Sequence, residues 1–311
     1  MNPLLIRPTI LGLIGALIVA VRWFQLRKQV PRWTLAPAVL CVLYVFFRAW
    51  VFRRAAGGSS DTLDNYIYYA DLGYGFNPSL LASRWVERLH LFPLMSVVYE
   101  SLVLAIAATY AYSLGRRGQP ARVLAMMVLA GLLGMQAYRL MPACGPVYLL
   151  GSPCYLGEEP ASCAAISAAD LHPVELDTAY PRNAMPSLHV AWALLLFWVW
   201  RASRWRWMVL IYLLLTMLAA LGGGEHYLVD FVGAFPFALA VWALCGSPWL
   251  PERALTLMGS ILGLLLWIAA IRFRPELFHY SPAIPWLLSG LLIVGCSYAA
   301  KRLTLSSSES V

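Results

Sequence analysis

Charged residues are scarce in this 311-residue sequence, at 12% of the chain, whereas a soluble domain carries about 25%. Hydrophobic residues make up 61%, above the roughly 45–50% of soluble proteins. Several apolar stretches approach the roughly 20 residues that a helix needs to span a bilayer. The composition therefore excludes an ordinary soluble enzyme and predicts an all-α, polytopic transmembrane helical bundle.

The sequence also lacks the paired cysteine spacing of zinc sites, and it has no basic stripe with interleaved aromatic residues outside the apolar spans. The net charge of +8 is therefore not interpreted as nucleic-acid binding. Most basic residues lie in short loops beside apolar spans, where they set membrane topology. Cys41, Cys245 and Cys296 lie within spans and are expected to pack as small hydrophobic side chains.

The apolar pattern predicts about nine spans. The first is interpreted as a retained helix and not as a signal peptide, because no clear cleavage site precedes Arg22. We divide the chain into residues 1–90 with two helices and an outer loop, a core at 91–245, and 246–311 with two helices and a short tail. The predicted spans are 5–21, 35–51, 92–114, 121–140, 188–200, 207–223, 227–245, 256–271 and 284–300.

Basic residues distinguish the two faces of the membrane. They are denser in one set of alternate loops, which are short, than in the other set, which covers far more of the chain. Because cytoplasmic loops carry an excess of Lys and Arg, the denser set is assigned to the cytoplasm. This predicts a bacterial inner-membrane protein with its long loops in the periplasm. The cytoplasmic set is 22–34, 115–120 with Arg122, 201–206, 246–255 and the C-terminus; the outer set is the N-terminus, 52–91, 141–187 and 272–283.

The two long outer loops each carry a feature of interest. The second contains Cys144, Cys154 and Cys163, and on a periplasmic face a disulfide is permitted. A Cys154–Cys163 bond is the preferred pairing, and three reduced thiols are the alternative. In the first loop, residues 79–90 are predicted to form an amphipathic helix at the membrane surface, with a lid over a site as the alternative.

A first candidate site begins at PSLH, residues 186–189, immediately before an apolar run. Proline is favoured near a helix start because its missing N–H would be unsatisfied there anyway. We therefore expect a helix to begin here, with Ser187 and the first free amides directed outward. Such a helix N-terminus binds anions, and His189 lies on its first turn.

A second candidate site lies at GGGEHYLVD, residues 222–230. The glycines end one span and allow a tight turn, and the next helix opens at about His226. Asp230 follows four residues later and shares a helix face with His226. A carboxylate there can hold one ring nitrogen in a hydrogen bond and leave the other free to attack.

The predicted topology brings these segments to one membrane surface. His189 and His226 both open helices that enter from the outside, and Tyr138 and Arg139 end a helix that arrives there. A lone histidine at a helix end is more often a cap or a surface residue. Two such motifs at one face, with an ionisable cluster, indicate a functional site.

These residues resemble the type 2 phosphatidic acid phosphatase superfamily. The resemblance is closest to its branch with PSLH and HYLVD motifs, which includes fungal inositol phosphorylceramide synthase-like enzymes and many bacterial membrane phosphatases. The family's PSxH motif matches residues 186–189, its HxxxD motif matches 226–230, and 138–146 looks like the branch's variant first motif. The resemblance covers roughly residues 90–245 and implies a core of six transmembrane helices.

The resemblance also implies a mechanism that needs neither a metal nor an organic cofactor. His226 would be the nucleophile that takes the phosphoryl group, and Asp230 would orient it. His189 would protonate the leaving oxygen and later activate the acceptor. Ser187 and nearby amides would bind phosphate oxygens. The implied function is transfer of a phosphoryl group from a membrane lipid phosphate to water, or, in the alternative, transfer of a phospho-headgroup to a lipid or sugar hydroxyl.

The sequence departs from the family in its basic residues. Ala219 and Ala220 occupy the area where the family has an arginine before its third-motif histidine, and the first motif ends in Gly145-Pro146-Val147 without the family's basic residue. Since a phosphoryl group in transfer needs charge stabilisation, Arg139 and Arg182 are the nearest candidates, with Tyr138 beside them. Fewer cations also favour a phosphodiester, or a less charged substrate, over a monoester.

Other charges have competing interpretations. Arg48 and Glu100 are expected to pair between helices, with Glu100 facing the site as the alternative. Arg272, Arg274 and His279 lie on the predicted outer face and are candidates for contact with a headgroup.

Two functions of other classes compete with phosphoryl transfer. A transporter would use intramembrane His and Asp residues as a proton relay, but that function predicts ionisable residues near the membrane midplane. A metal hydrolase would use His189, His226 and Asp230 as ligands, which is a small set of modest spacing.

Overall fold

The computed structural model describes residues 3–43, 60–116, 119–155, 166–246 and 251–306. Its architecture is an all-α helical bundle, as predicted. The only strands among the described residues are β1 (Asp61–Thr62) and β2 (Val174–Glu175), which pair antiparallel and tie the two outer loops together. The helices are α1 (Pro3–Leu26), α2 (Asp64–Leu72), α3 (Pro78–Arg88), α4 (Phe92–Glu100), α5 (Leu102–Ser113), α6 (Gln119–Leu140), α7 (Pro146–Leu150), α8 (Leu188–Trp200), α9 (Arg206–Gly222), α10 (Leu228–Leu244), α11 (Pro251–Phe273) and α12 (Ala283–Ser306), with 3-10 turns at Arg32–Leu35, Ser152–Tyr155, Ala168–Asp170 and Pro275–His279.

Four described helices are long and apolar enough to cross a membrane: α6, α11, α12 and the Thr9–Leu26 part of α1. The chain is therefore a membrane protein. Each predicted span coincides with a helix over its described residues, but four of these helices are shorter, at 10–17 residues: Arg32–Leu43, α8, α9 and α10. The number of nine spans stays a prediction.

The predicted span at 92–114 is not one straight helix. It breaks into α4 and α5, which meet at an angle of 46°. The Ser101 hydroxyl at the break donates to the Val98 carbonyl at 2.8 Å, and such back-bonding by serine bends helices. The pair would count as a fifth spanning segment if it crosses the membrane as one unit.

The centre of the bundle is α10. Almost all of its residues are buried, and it packs against α8, α11 and α12. A helix that is apolar on all sides belongs inside a protein or a membrane, and α8 has the same character. The two helices that begin at the histidine motifs are thus largely buried, which holds their first turns in fixed positions.

The outer loops contribute helices that lie against the bundle. Helix α3 covers most of the predicted amphipathic stretch and buries Pro78, Ser79, Ala82 and Val86, while Trp85 on its other side is 60% exposed. Helix α2 is mostly buried and packs against α10 and α11. Both helices are part of the folded body and not loose coverings.

Candidate active site

His189 and His226 lie side by side. Their ring centroids are 6.3 Å apart and the ring planes meet at 61°. His189 follows Ser187, which caps α8 by accepting a hydrogen bond from the Val190 amide at 3.4 Å, and His226 immediately precedes the Tyr227 cap of α10. The structure thus brings the two histidine motifs together at one place.

A backbone carbonyl fixes the tautomer of His226. Its Nδ1 lies 3.0 Å from the carbonyl oxygen of Ala184. A carbonyl only accepts, so Nδ1 carries the proton and Nε2 keeps its lone pair. In the neutral ring, Nε2 is therefore the nitrogen with the free lone pair.

Asp230 supports the same arrangement from the first turn of α10. Its Oδ2 lies 3.4 Å from His226 Nδ1 and accepts a shorter bond, 2.8 Å, from the Tyr227 amide. The Asp230 backbone carbonyl also accepts from the Ser187 amide at 3.3 Å. Asp230 thus connects both motifs, although Ala184 makes the closer contact with the imidazole.

The segment 141–147, which overlaps the predicted first motif at 138–146, holds the other two motifs in place through its backbone. The Ala143 carbonyl accepts from the Ala184 amide at 3.0 Å, and the Val147 amide donates to the Gly224 carbonyl at 2.9 Å. Gly145 has φ +117°, and a Cβ built on it would lie 2.4 Å from the Glu225 carbonyl oxygen. Only glycine fits this backbone conformation and this close approach.

Gly145→Ala should therefore displace the loop before His226. The strained conformation costs about 1–3 kcal/mol, and the added methyl group pushes on the Glu225 carbonyl. We expect lower thermal stability in detergent and at least about tenfold less activity. Gly290→Ala is the matched control, because a Cβ there meets nothing within 4 Å. Equal activity of the two variants would show that the loop contact is unimportant.

Two aspartates of α2 brace the site, and the sequence interpretation missed their role. Asp64 accepts from the amides of Cys144 (2.9 Å) and Gly145 (2.9 Å) and from the Tyr227 hydroxyl (2.8 Å). Asp71 accepts from the Val229 amide at 3.0 Å. Burial raises the pKa of both carboxyls, that of Asp71 well above its usual range. The outer helix α2 therefore positions the segments that carry the histidines.

A cavity of about 820 Å³ opens beside the histidines. His189 lies in its wall, whereas His226 is only 1% exposed and lies behind it. Tyr99 of α4 stacks on the His189 ring, with centroids 3.8 Å apart, and also lines the cavity. The site is therefore more enclosed than the pair of helix entrances predicted from the sequence.

The polar part of this cavity is acidic. Glu225 and Glu100 both line it, and the Tyr148 hydroxyl donates to Glu225 at 3.2 Å. Burial raises the pKa of the Glu225 carboxyl, and the Glu100 charge adds to the rise. Among the described residues of the cavity wall there is no arginine or lysine.

The comparisons with known proteins agree with this geometry. A family model described as the PAP2 superfamily matches residues 65–244, which is more than half of the chain. The chain belongs to the PAP2 superfamily. Neither the curated proteins nor the solved structures include a match. PAP2 membership implies a phosphatase or phosphotransferase type of activity on phosphate esters, so this chain is a phosphatase-type enzyme.

The PAP2 match begins at residue 65, earlier than the resemblance from about residue 90 that the motifs suggested. It includes most of α2, next to the Asp64 carboxylate that binds the first motif. It ends at residue 244, the last residue of α10. The matched range therefore contains Asp71, both histidine motifs and the central helix, and it begins one residue after Asp64.

Arg182 does not present a free guanidinium to the PAP2 site. It is 1% exposed, and its two terminal nitrogens donate to the carbonyls of Asp177 (2.5 Å), Tyr180 (2.6 Å), Leu176 (2.8 Å) and Ser60 (3.1 Å). This residue clamps one outer loop to the other. It is better described as a structural arginine than as a phosphate ligand.

The remaining predicted phosphate ligands divide into near and distant ones. Ser187 and Tyr138 are buried beside the motifs, where the Tyr138 hydroxyl interacts with the backbone of Leu188. Arg139 is exposed and donates to Gln136 on its own helix at 3.0 Å. The structure thus brings Ser187 and Tyr138 to the histidines and does not place Arg139 with them.

Two of the three outer charges predicted to contact a headgroup, Arg272 and His279, have structural partners, and the contact of Arg274 with a headgroup stays a prediction. Arg272 donates to the Leu140 carbonyl at 2.7 Å. The ring of His279 stacks on Tyr69 and contacts its carbonyl through Nε2 at 2.7 Å. Arg48, the expected partner of Glu100, lies outside the described residues.

The structure also bears on the predicted disulfide and on metal binding. Cys154 is disulfide-bonded and Cys144 is a free, buried thiol, while Cys163, the predicted partner, lies outside the described residues. Within the described ranges, no group of three or more His, Cys, Asp and Glu side chains is placed to hold a metal ion. A metal-independent mechanism stays a prediction.

Proposed function

We propose that this PAP2 protein is a membrane lipid phosphatase that forms a phosphohistidine at His226. The observation that carries the proposal is the Nδ1 contact of His226 with the Ala184 carbonyl, with the His189 ring 6.3 Å away. That contact leaves Nε2 as an unprotonated nucleophile beside a second imidazole that serves as acid and base.

The reaction proceeds in two steps. Nε2 of His226 attacks phosphorus, the bond from phosphorus to the lipid oxygen breaks, and His189 gives that oxygen a proton. Water then attacks the phosphohistidine, His189 takes a proton from the water, and the bond between phosphorus and Nε2 breaks. Free phosphate leaves, and both imidazoles return to their first protonation states. Ser187, at the cap of α8, supports phosphate binding at the helix N-terminus.

We place the site on the outer face of a bacterial inner membrane. The loops at the other face of the membrane are denser in basic residues, which favours their location in the cytoplasm. The disulfide at Cys154 lies in the outer loop that follows the first motif, and disulfides persist in oxidising compartments such as the periplasm. Both observations support an outer-leaflet substrate.

A lipid panel tests the proposed function. Purified protein in mixed micelles should release phosphate from phosphatidate-like or polyprenyl phosphates, with or without EDTA. The same assay scores new phospholipid products when a lipid or sugar alcohol is added. The His226→Ala protein is the control for contaminating phosphatases. No phosphate release and no transfer product from any lipid in the panel would overturn the proposal.

A phosphotransferase is the second candidate, and a specific observation favours it. The cavity wall carries Glu225 and Glu100 without a described arginine or lysine, and Arg182 is occupied by carbonyls. A monoester carries up to two negative charges and needs cations, whereas a phosphodiester carries one. A diester donor whose phospho-headgroup passes to an alcohol suits this site, and a transfer product in the panel would identify it.

Glu225→Gln tests the electrostatic part of this argument. Above its raised pKa the Glu225 carboxylate repels a phosphomonoester, and below that pKa it is neutral. At pH 8 we expect the variant to have a roughly three- to tenfold lower KM for a lipid monoester, the effect of removing about 1 kcal/mol of repulsion. As the pH falls, the KM of the wild type should approach that of the variant. A KM ratio that is constant with pH would argue against repulsion by Glu225.

A further inference from the structure

The cavity beside His189 is much larger than a phosphoryl group requires. Its volume of about 820 Å³ lies near the upper end of the roughly 300–1,000 Å³ of small-molecule sites. Its polar lining includes His189, the adjacent Glu225, Glu100 and Asn183, and most of the other residues of the wall are apolar. The cavity therefore suits a ligand with one polar end and one long apolar part.

Part of the apolar wall lies outside the PAP2 match at 65–244. Leu40 and Cys41, from the short helix Arg32–Leu43, line the cavity. They face Val103 and Ala107 of α5 and residues of α6 across the same space. The N-terminal region thus adds a wall to a cavity that begins at the family's histidines.

Helix α1 holds this added wall against the core. It packs along α5, and a Cβ built on Gly15 would lie 3.3 Å from the Ala107 side chain and 3.6 Å from the Cys41 sulfur. Small residues at such positions let helices approach closely in membranes. The position of the wall is therefore set by packing.

We infer that this cavity binds one hydrocarbon chain of the lipid substrate and that the N-terminal wall limits the length of that chain. The inference rests on the proposed function and names the part of the substrate that the extra helices recognise. The phosphate lies at His189 and His226, and the chain extends between α5, α6 and the helix Arg32–Leu43.

The physical basis of this recognition is shape. A chain that leaves the bilayer for the cavity exchanges one apolar environment for another, so transfer from water contributes little. A wall of packed side chains instead rejects chains that are too long to fit, because packed protein does not yield easily. We therefore expect the cavity to affect chain-length preference more than the rate with the best substrate.

Filling the cavity tests the inference. Leu124 and Leu132 both belong to α6, but Leu124 lines the cavity and Leu132 is 50% exposed on the outside. Leu124→Trp should raise KM at least fivefold for a dioleoyl substrate and leave KM for a dihexanoyl substrate within twofold. Leu132→Trp should change neither value. Val103→Phe, a smaller filling of the same cavity, replaces Leu124→Trp if that protein does not fold.

Two results separate failure of this inference from failure of the proposed function. An active wild type, with unchanged chain-length preference in both filled variants, would overturn the chain site alone. A wild type without phosphoryl transfer on any lipid would overturn the proposed function.

Photocrosslinking measures binding of the chain without turnover, so it tests the chain site even if the protein transfers no phosphoryl group. A phosphatidate with a diazirine at its chain end is photolysed with His226→Ala protein in phosphatidylcholine vesicles. Crosslinks to residues 37–41, 102–107 and 123–128 support the chain site. Crosslinks confined to outward positions such as Leu132 overturn it.

Discussion

His226→Ala is expected to lower turnover of the lipid substrate by at least about 10⁴-fold, because loss of a covalent nucleophile removes the reaction path itself. The acid-labile phosphoenzyme that brief mixing with a radiolabelled lipid phosphate produces in the wild type should also be absent. The protein should remain folded, since the missing ring leaves one carbonyl and one carboxylate contact unmade. Phosphoenzyme trapping and steady-state rates measure both effects.

His172→Ala is the matched control, because the His172 side chain is exposed and its ring contacts the carbonyl of the neighbouring Pro173. It should retain full activity. His189→Ala separates the two roles: it should still form some phosphoenzyme, and its rate should fall most for substrates with poor leaving groups. Normal turnover in purified His226→Ala protein would refute the phosphohistidine mechanism.

Asp64→Ala should give the largest loss of stability. The carboxylate accepts from two backbone amides and one tyrosine hydroxyl, all buried. Each buried donor left without an acceptor costs about 1–3 kcal/mol, so the variant should lose roughly 3–5 kcal/mol in total. Activity should fall with it, because Cys144 and Gly145 adjoin the loop before His226. Thermal unfolding in detergent and the phosphate-release assay measure the two losses.

Two further variants make this result specific. Asp61→Ala removes an exposed carboxylate from the adjacent strand and should have a small effect. Asp64→Asn keeps one carbonyl acceptor and should lie between Asp64→Ala and the wild type. If Asp64→Ala is as stable and active as Asp61→Ala, α2 is not a brace for the site.

The helical architecture and the meeting of the two histidine motifs could be predicted because both follow from local patterns. Apolar runs without breakers become buried or spanning helices, and PSLH marks a helix start through its proline and its capping Ser187. The positions of His189 and His226 then follow from the direction of each helix. The charge distribution provided that direction.

The roles of Asp64 and Asp71 could not be predicted from the sequence. Their partners are backbone amides and a hydroxyl that lie 80 to 163 residues away in the sequence. Every residue except proline has a backbone amide, so the sequence does not indicate which amide donates to a given carboxylate. In sequence they are two acids among several in an outer loop. Arg182 shows the converse error: a basic residue beside PSLH suggested phosphate binding, but four distant or neighbouring carbonyls occupy it.

The break at Ser101 could not be predicted either, because residues 92–114 are mostly apolar, contain no glycine and have their one proline at residue 93. At the bend, the Ser101 hydroxyl donates a hydrogen bond to a backbone carbonyl one turn earlier, and serine makes this bond only in some helices. One consequence is that α4 brings Tyr99 onto the His189 ring. The sequence predicted one span at 92–114 and did not predict this bend.

The contact between His226 Nδ1 and the Ala184 carbonyl means that a main-chain atom, and not a side chain, orients the imidazole. An acceptor that belongs to the peptide backbone is kept by every amino acid that position 184 can hold. Replacement of the nearby carboxylate would still leave the imidazole pointing the same way, with its lone pair available. The orientation of this imidazole is therefore robust to substitution at position 184 and sensitive to movement of the loop that supplies the oxygen.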